Sequence, residues 1–302
     1  MNNSKPFVSV IIPVYNDAER LEKCLAALDQ QTYPQDLYEV IAIDNASAES
    51  IVEIVNKYQQ ASTIYEAEPG SYAARNRGIT VAKGEIFAFT DSDCIPAANW
   101  IEQGVKALID NPDCGIIGGK IKLFFRDPNR LTAVELYEDL TAFPQKRHIE
   151  RNNFTPTANL FTYKEIFDEL GKFNHQLKSN GDREWCQLVC GQGYGIKYAE
   201  QAMVSHPARY SFKEIYRRYL RMAGGRADAY RAKYQQNLFR FKIIYEVASS
   251  LLITPKDILV VAIKGNYSAV QRGKILLVLF ALKWGLNSEK LRVMMGGVSH
   301  NY

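Results

Sequence analysis

Two aspartates one residue apart close an apolar run in "FAFTDSDCIP", residues 87–96. Carboxylate oxygens are hard ligands and suit Mg²⁺ or Mn²⁺, which favour near-octahedral coordination at about 2.1 Å. Asp91 and Asp93 can present oxygens to one ion or to its waters. Magnesium keeps several waters and shares its shell with substrate phosphates, so a phosphorylated small molecule is the natural partner of such a pair. The same spacing also suits a capped turn ahead of a helix near Ala97, and D-x-D by itself does not choose between the two.

The elements around the pair decide where it sits. "VSVIIPVY" (8–15), "YEVIAID" (38–44), "STIYEAE" (62–68) and "EIFAFTD" (85–91) are continuous β-branched or apolar runs and read as strands. Helical patterns separate them: "DAERLEKCLAALDQQ" (17–31) with Asp17 as cap, and "SAESIVEIVNKYQQ" (47–60) with Ser47 or Ser50 as cap. A third, in "GSYAARNRGITVAKG" (70–84), runs from about Tyr72 to a closing Gly84. Apolar strands alternating with helices predict an α/β fold with a mainly parallel sheet covered on both faces. Ligands of such sheets gather at the carboxyl ends of the strands, which is where "TDSD" falls. "PVYND", "DNAS" and "GSYAARNRG" add a base-sized slot, a ribose-binding carboxylate and an arginine to that edge.

Beyond residue 96 the pattern predicts a helix in "AANWIEQGVKALIDN" and a strand in "CGIIGGKIKLFF", then a mixed region through "TPTANLFTYKEIFDELGKFN". A helix in "GDREWCQLVCGQG" and two short strands in "YGIKYAEQAMVSH" follow. The "GQGYG" at 191–195 follows a helix and has the wrong spacing for a dinucleotide fingerprint; it reads as that helix's end. The boundary is placed at 208, leaving 209–302 as a basic, amphipathic helical extension. Ten Lys or Arg stand against Glu214 and Asp228 between Arg209 and Lys242, which suits a solvated face or a surface for anionic lipid headgroups or a phosphate-bearing acceptor.

A net charge of +4 over 302 residues is no nucleic-acid signature, and none is expected as a partner. The five cysteines are scattered, with no C-x-x-C pair, and fit reduced thiols of a cytoplasmic protein. Cys186 and Cys190 share a helix face but lack partner ligands. "FVSVIIPVY" (7–15) lacks a leader's cleavage site, and "ILVVAI" (258–263) and "ILLVLFAL" (275–282) are shorter than the roughly 18 residues of a membrane span.

With four strand-end motifs in this order, the chain resembles the family 2 glycosyltransferases, nucleotide-sugar-dependent enzymes of the GT-A fold, from about Val8 to His206. The resemblance implies that Pro13, Tyr15 and Asn16 line the nucleotide pocket and that Asp44 and Asn45 face base and ribose. Arg75 and Asn76, in "ARNRG", would lie near base and diphosphate, while Asp91, Ser92 and Asp93 form the D-x-D. Asp93 would be the direct metal ligand, Asp91 closer to ribose or a metal water, and His206 a further ligand to Mn²⁺ or Mg²⁺. Asp182, in "SNGDREW", is implied as the base of an inverting transfer, with an N-cap as its plain alternative and Glu184 in reserve. Asn159 falls where the family's acceptor-side segment lies. Family members often have aspartate where this chain has Asn45, which loosens the preference for uracil that a UDP-sugar donor implies.

The implied partners are a nucleotide-diphosphate sugar, a UDP-sugar first, and a carbohydrate or lipid-linked acceptor, with peripheral contact at the inner membrane face in surface polysaccharide or glycolipid synthesis. The alternatives are a non-catalytic nucleotide-sugar-binding subunit and a sugar-phosphate nucleotidyltransferase. The latter expects a Gly-rich basic loop after its first strand, where this chain has "PVYNDAERL". A phosphatase of the haloacid dehalogenase type wants its D-x-D near the N-terminus and Thr or Val where Ile95 stands.

Overall fold

The computed structural model describes residues 5–299, apart from the side chains of residues 229, 232 and 233. The chain begins β1 (Val8–Val14), α1 (Ala18–Asp29), β2 (Tyr38–Asp44), α2 (Val52–Val55), β3 (Ala61–Tyr65), α3 (Ser71–Val81) and β4 (Ile86–Thr90). It continues β5 (Ile95–Pro96), α4 (Trp100–Ile109), β6 (Cys114–Phe124), α5 (Ala133–Thr141), α6 (Gln145–Asn152), β7 (Asn159–Tyr163) and α7 (Lys164–Leu170). Then follow α8 (Gly181–Gly191), β8 (Gly195–Pro207), α9 (Phe212–Lys233), α10 (Gln236–Ser250), α11 (Pro255–Ile263) and α12 (Ala269–Met294). Two compact units result. One holds the residues up to Lys122 with Phe143–Gln176 and Gly181–His206; the other holds Leu123–Ala142, Leu177–Asn180 and the chain from Pro207.

One sheet in the order β3-β2-β1-β4-β7-β6-β8-β5 organises the first unit. β3, β2, β1 and β4 are parallel, and β7 pairs antiparallel with both β4 and β6. The period-2 alternation of strand side chains sorts the core into two layers. Val10, Ile12, Val40, Ala42 and Ala88 pack with Leu21 and Leu25 of α1 and with Trp100 and Leu108 of α4. Ile11, Ile41, Ile43, Phe87 and Phe89 pack with Ala74 and Ile79 of α3 and with Trp185 and Val189 of α8. The central strands β1 and β4 are buried along nearly their whole length because helices cover both faces, and the expected α/β class is what the chain adopts.

The chain leaves β1 toward β2 and β3 on one side and returns to β4 on the other. That reversal opens a crevice beyond the carboxyl ends of β1 and β4, the switch point at which open α/β sheets bind ligands.

Four local expectations differ. The helix predicted over 47–60 shrinks to the single turn of α2, because residues 44–48 are held by bonds to Asn16 and Asp44 described below. Asp17 precedes α1 but makes no capping bond. Gly84 lies beyond the end of α3 at Val81 and its C-cap Ala82, and is required instead by crowding, since a Cβ there would sit 2.5 Å from the Ser9 amide nitrogen. The two strands expected in 194–206 are one, β8, which lies between β6 and β5 in the sheet despite the polar Glu200-Gln201 interruption.

The second unit is helical. α5, α9, α11 and α12 each open with a capping box, on Thr132/Glu135, Ser211/Glu214, Thr254/Asp257 and Ser268/Gln271, which satisfies otherwise orphaned amides at each start. Its core joins Val134, Leu136 and Tyr137 of α5 to Ile215, Val261, Ile275 and Leu282. Part of the basic run is neutralised internally: the buried Glu138 carboxylate accepts from Arg209 at 3.0 Å and Arg218 at 3.4 Å. No helix of the described residues is long and apolar enough to cross a membrane.

Candidate active site

The crevice is built from the loops after β1, β2 and β4. Pro13 is the half-buried penultimate residue of β1, and Tyr15 presents a ring that is 57% exposed. Asn16 adopts a left-handed φ of 49°; its amide nitrogen donates to Ser47 Oγ at 3.0 Å, and its side-chain oxygen accepts from the Ala48 amide at 2.7 Å. Asp44 Oδ1 accepts from the Ser47 amide at 2.9 Å. These bonds set the first two loops against each other.

Asn45 departs from the expectation that it faces a base. Its Nδ2 donates to the carbonyls of Glu66 at 3.1 Å and Glu68 at 2.6 Å, and its Oδ1 accepts from the Gly70 amide at 2.8 Å. The amide is thus fully engaged in fixing the loop that leads into α3. Asn76 is likewise turned to structure: it exchanges two hydrogen bonds with the backbone of Phe173, at 2.7 and 3.1 Å. Asn159 is fully buried, accepts from Trp100 Nε1 at 2.9 Å and donates to Lys120 and Ala202 carbonyls, both at 2.9 Å, stapling β6, β7 and β8.

At the end of β4 the two aspartates take different partners. Asp91 Oδ1 is bound by the guanidinium of Arg75, a buried residue of α3 whose Nε has no acceptor among the described residues. Asp93 faces His206 of β8, with Oδ1 3.7 Å from Nε2, and lies 3.7 Å from Arg20 Nη1. The ligand atoms of Asp93, Cys94 and His206 all fall within 4.8 Å of one another. Burial pushes the Cys94 thiol well up, and of the three donors the Asp93 carboxylate and the His206 imidazole suit a Mn²⁺-class cation. His206 is nearly fully buried, its ring 4.8 Å from that of Phe143.

Asp17 and Arg20 belong to this group. The Ser92 hydroxyl donates to Asp17 Oδ2 at 2.6 Å and Arg20 Nε to Asp17 Oδ1 at 2.5 Å. Burial raises the Asp17 carboxyl despite these bonds. The "PVYND" motif contained Asp17, but helix-capping propensity explained it without the site.

Asp182 occupies the first turn of α8, just after Asn180, whose φ is 64°. It lies inside the helix and not at the N-cap. Its Oδ1 accepts from Tyr72 Oη at 3.1 Å and from the Arg183 amide at 2.9 Å. Burial raises its carboxyl above the ordinary range, opposed by the Arg183 and Thr157 amides, the Arg75 charge and the Tyr72 hydroxyl. The Tyr72 phenol is itself pushed up by burial and remains a donor. Gly181 makes this seating possible: a Cβ there would stand 2.8 Å from the Tyr72 ring. Arg75 sits 5.7 Å from the same ring, so Asp91, Arg75, Tyr72 and Asp182 form one chain of contacts. Glu184 is exposed to solvent.

The model of the family described as "Glycosyl transferase family 2" matches residues 9–174. This chain belongs to glycosyl transferase family 2. It is 38% identical over 235 residues to glycosyltransferase AglE of Haloferax volcanii, covering 76% of either chain. Among solved structures it resembles the mannosyltransferase PcManGT from Pyrobaculum calidifontis, in complex with GDP-Man and Mn²⁺. The TM-score is 0.59 at 19% identity, over 99% of this chain and 77% of that one. It also resembles S. aureus TarS, with a TM-score of 0.52 at 20% identity over 72% of this chain and 39% of that one. The family 2 assignment makes the protein a glycosyltransferase, and its sheet has the GT-A architecture of these neighbours. The match to the family ends before Asp182 and His206.

Proposed function

We propose that this family 2 glycosyltransferase moves a sugar from a nucleotide-diphosphate sugar to an acceptor hydroxyl by direct, inverting displacement. The observation that carries the reading is the convergence of Asp93 and His206 at 3.7 Å beside the sheet's switch point. A carboxylate and an imidazole fit a divalent cation of the Mn²⁺ or Mg²⁺ class, and the mannosyltransferase neighbour was solved with Mn²⁺. Asp93 and His206 would hold such a cation, which would supply Lewis-acid stabilisation of the diphosphate leaving group.

The protein's own residues supply the rest. Tyr15 offers a face for stacking the base, Asp44 stands at the ribose edge, and Pro13, Asn16 and Ser92 shape the pocket around them. Arg75 places positive charge beside Asp91, at the edge where the diphosphate would lie. Asp182, raised by burial, takes the acceptor hydroxyl's proton as that oxygen bonds to the sugar's anomeric carbon. The bond from that carbon to the diphosphate breaks, and the electron pair leaves with the phosphate. Catalysis is assigned to 1–208, in surface polysaccharide or glycolipid synthesis, with 209–302 in peripheral contact with the inner membrane face.

With Asn45 committed to the 66–70 loop, its amide does not select the base, and both UDP- and GDP-sugars must be tried. A thermal-shift panel of these donors with and without Mn²⁺ tests the reading: stabilisation by a donor should require metal and vanish in Asp93→Ala and His206→Ala. Asp182→Asn should keep that donor-dependent shift while turnover falls by roughly 10²–10⁴-fold. Near-normal turnover in Asp182→Asn would remove Asp182 as the base.

A further inference from the structure

The helices of the second unit show more apolar surface than their own packing uses. On α10, Leu238, Phe241 and Tyr245 recur at spacings of three and four, one stripe of a helix, and Tyr245 is 65% exposed. α12 repeats the pattern with Leu277, Phe280 and Trp284, and α11 adds Ile258 and Ile263. Lys283, the neighbour of Trp284, donates to the Leu252 carbonyl at 2.9 Å and pairs with Asp257 at 2.5 Å, joining the end of α10 and the start of α11 to the middle of α12.

The charge beside them has one sign. Between residues 236 and 284 the acidic residues are Glu246 and Asp257, and both are taken up in ion pairs with Lys290 and Lys283. Arg240, Lys256, Lys264 and Lys274 are exposed, with no carboxylate at ion-pair distance among the described residues. Apolar stripes with aromatic residues, flanked by unneutralised lysines, suit an anionic bilayer: side chains enter the acyl boundary, the rings sit at headgroup level, and the ammonium groups meet phosphate. A second copy of the chain would set like charges against each other across a two-fold axis. No described helix can cross the membrane, so the contact lies in the plane of the interface.

We infer that the exposed apolar side of α10, α11 and α12 docks on an anionic lipid surface. This deepens the membrane-face reading above and moves it from the charge of 209–242 to the stripes of 236–284. It does not depend on the assignment of any catalytic residue.

Tryptophan makes the test direct. Trp100 and Trp185 are buried at 0% and 2% exposure, whereas Trp284 is 60% exposed, so an emission change on lipid contact reports Trp284. The full chain is mixed with vesicles of phosphatidylcholine alone or with added phosphatidylglycerol. Co-sedimentation and a blue-shifted emission are expected with the anionic vesicles, the shift disappearing in Trp284→Phe. Phe241→Glu and Leu277→Glu should abolish sedimentation with unchanged thermal unfolding, and Lys256→Gln or Lys264→Gln should each weaken it by roughly fivefold. Absence of sedimentation and emission shift overturns the inference. So does equal binding to both vesicles that ignores these substitutions, or self-association that Phe241→Glu abolishes in place of lipid binding. The donor-dependent thermal shift is measured on the same variants, so failure here is separable from failure of the transferase reading.

Discussion

Tyr72 is the residue on which the two halves of the proposed reaction meet. Its hydroxyl donates to Asp182, and its ring lies beside the Arg75 guanidinium that binds Asp91. Donation by Tyr72 favours the ionised form of Asp182, the form a base must have, and so lowers its pKa against the larger upward effect of burial. Tyr72→Phe should therefore move the acid limb of kcat/KM to higher pH while donor binding is kept, a displacement that loss of packing alone would not produce. An unmoved limb would deny Tyr72 this positioning role. At this scale sequence reading separates carboxylates from amides. The family resemblance points to Asp93, His206 and Asp182, whereas Asn45, Asn76 and Asn159 are held as backbone staples. An amide that could meet a ligand meets a distant peptide group equally well, and those partners, up to 97 positions away for Asn76, are set only by folding.

Among the elements, the packing of α4 on β7 depends on a glycine. A Cβ on Gly104 would lie 2.2 Å from the Phe161 ring, which is fully buried and 4.8 Å from the ring of Trp100. Gly104→Ala should cost about 1–3 kcal/mol by overpacking, seen as a lower denaturation midpoint with an unchanged slope. The parallel strands were legible because burial on both faces leaves an uninterrupted apolar run, as in "VSVIIPV" and "YEVIAID". The shortened α2 and the single long β8 were not, since ladder partners and cross-loop bonds overrode local propensity. The capping boxes of α5, α9, α11 and α12 stand in the sequence as S/T followed three residues later by Glu, Asp or Gln.

For the molecule as a whole, the thiols offer a simple check of which surfaces close on folding. Cys24, Cys94 and Cys186 are buried, Cys114 and Cys190 half-buried, and all five are free. Burial raises every one of them, which keeps them as unreactive thiols. A thiol reagent should label at most Cys114 and Cys190 in the native protein and all five after unfolding. Rapid native labelling of Cys94 would show that the pocket beside Asp93 is open.

The staple formed by Asn45 also bears on descent. An aspartate at this position has no N–H to give, and would set its charge against the carbonyl oxygens of Glu66 and Glu68. Position 45 and the 66–70 loop are therefore bound to vary together: a relative with aspartate at the one must have redrawn the other, and exchanging either alone between them should yield a chain fit for neither.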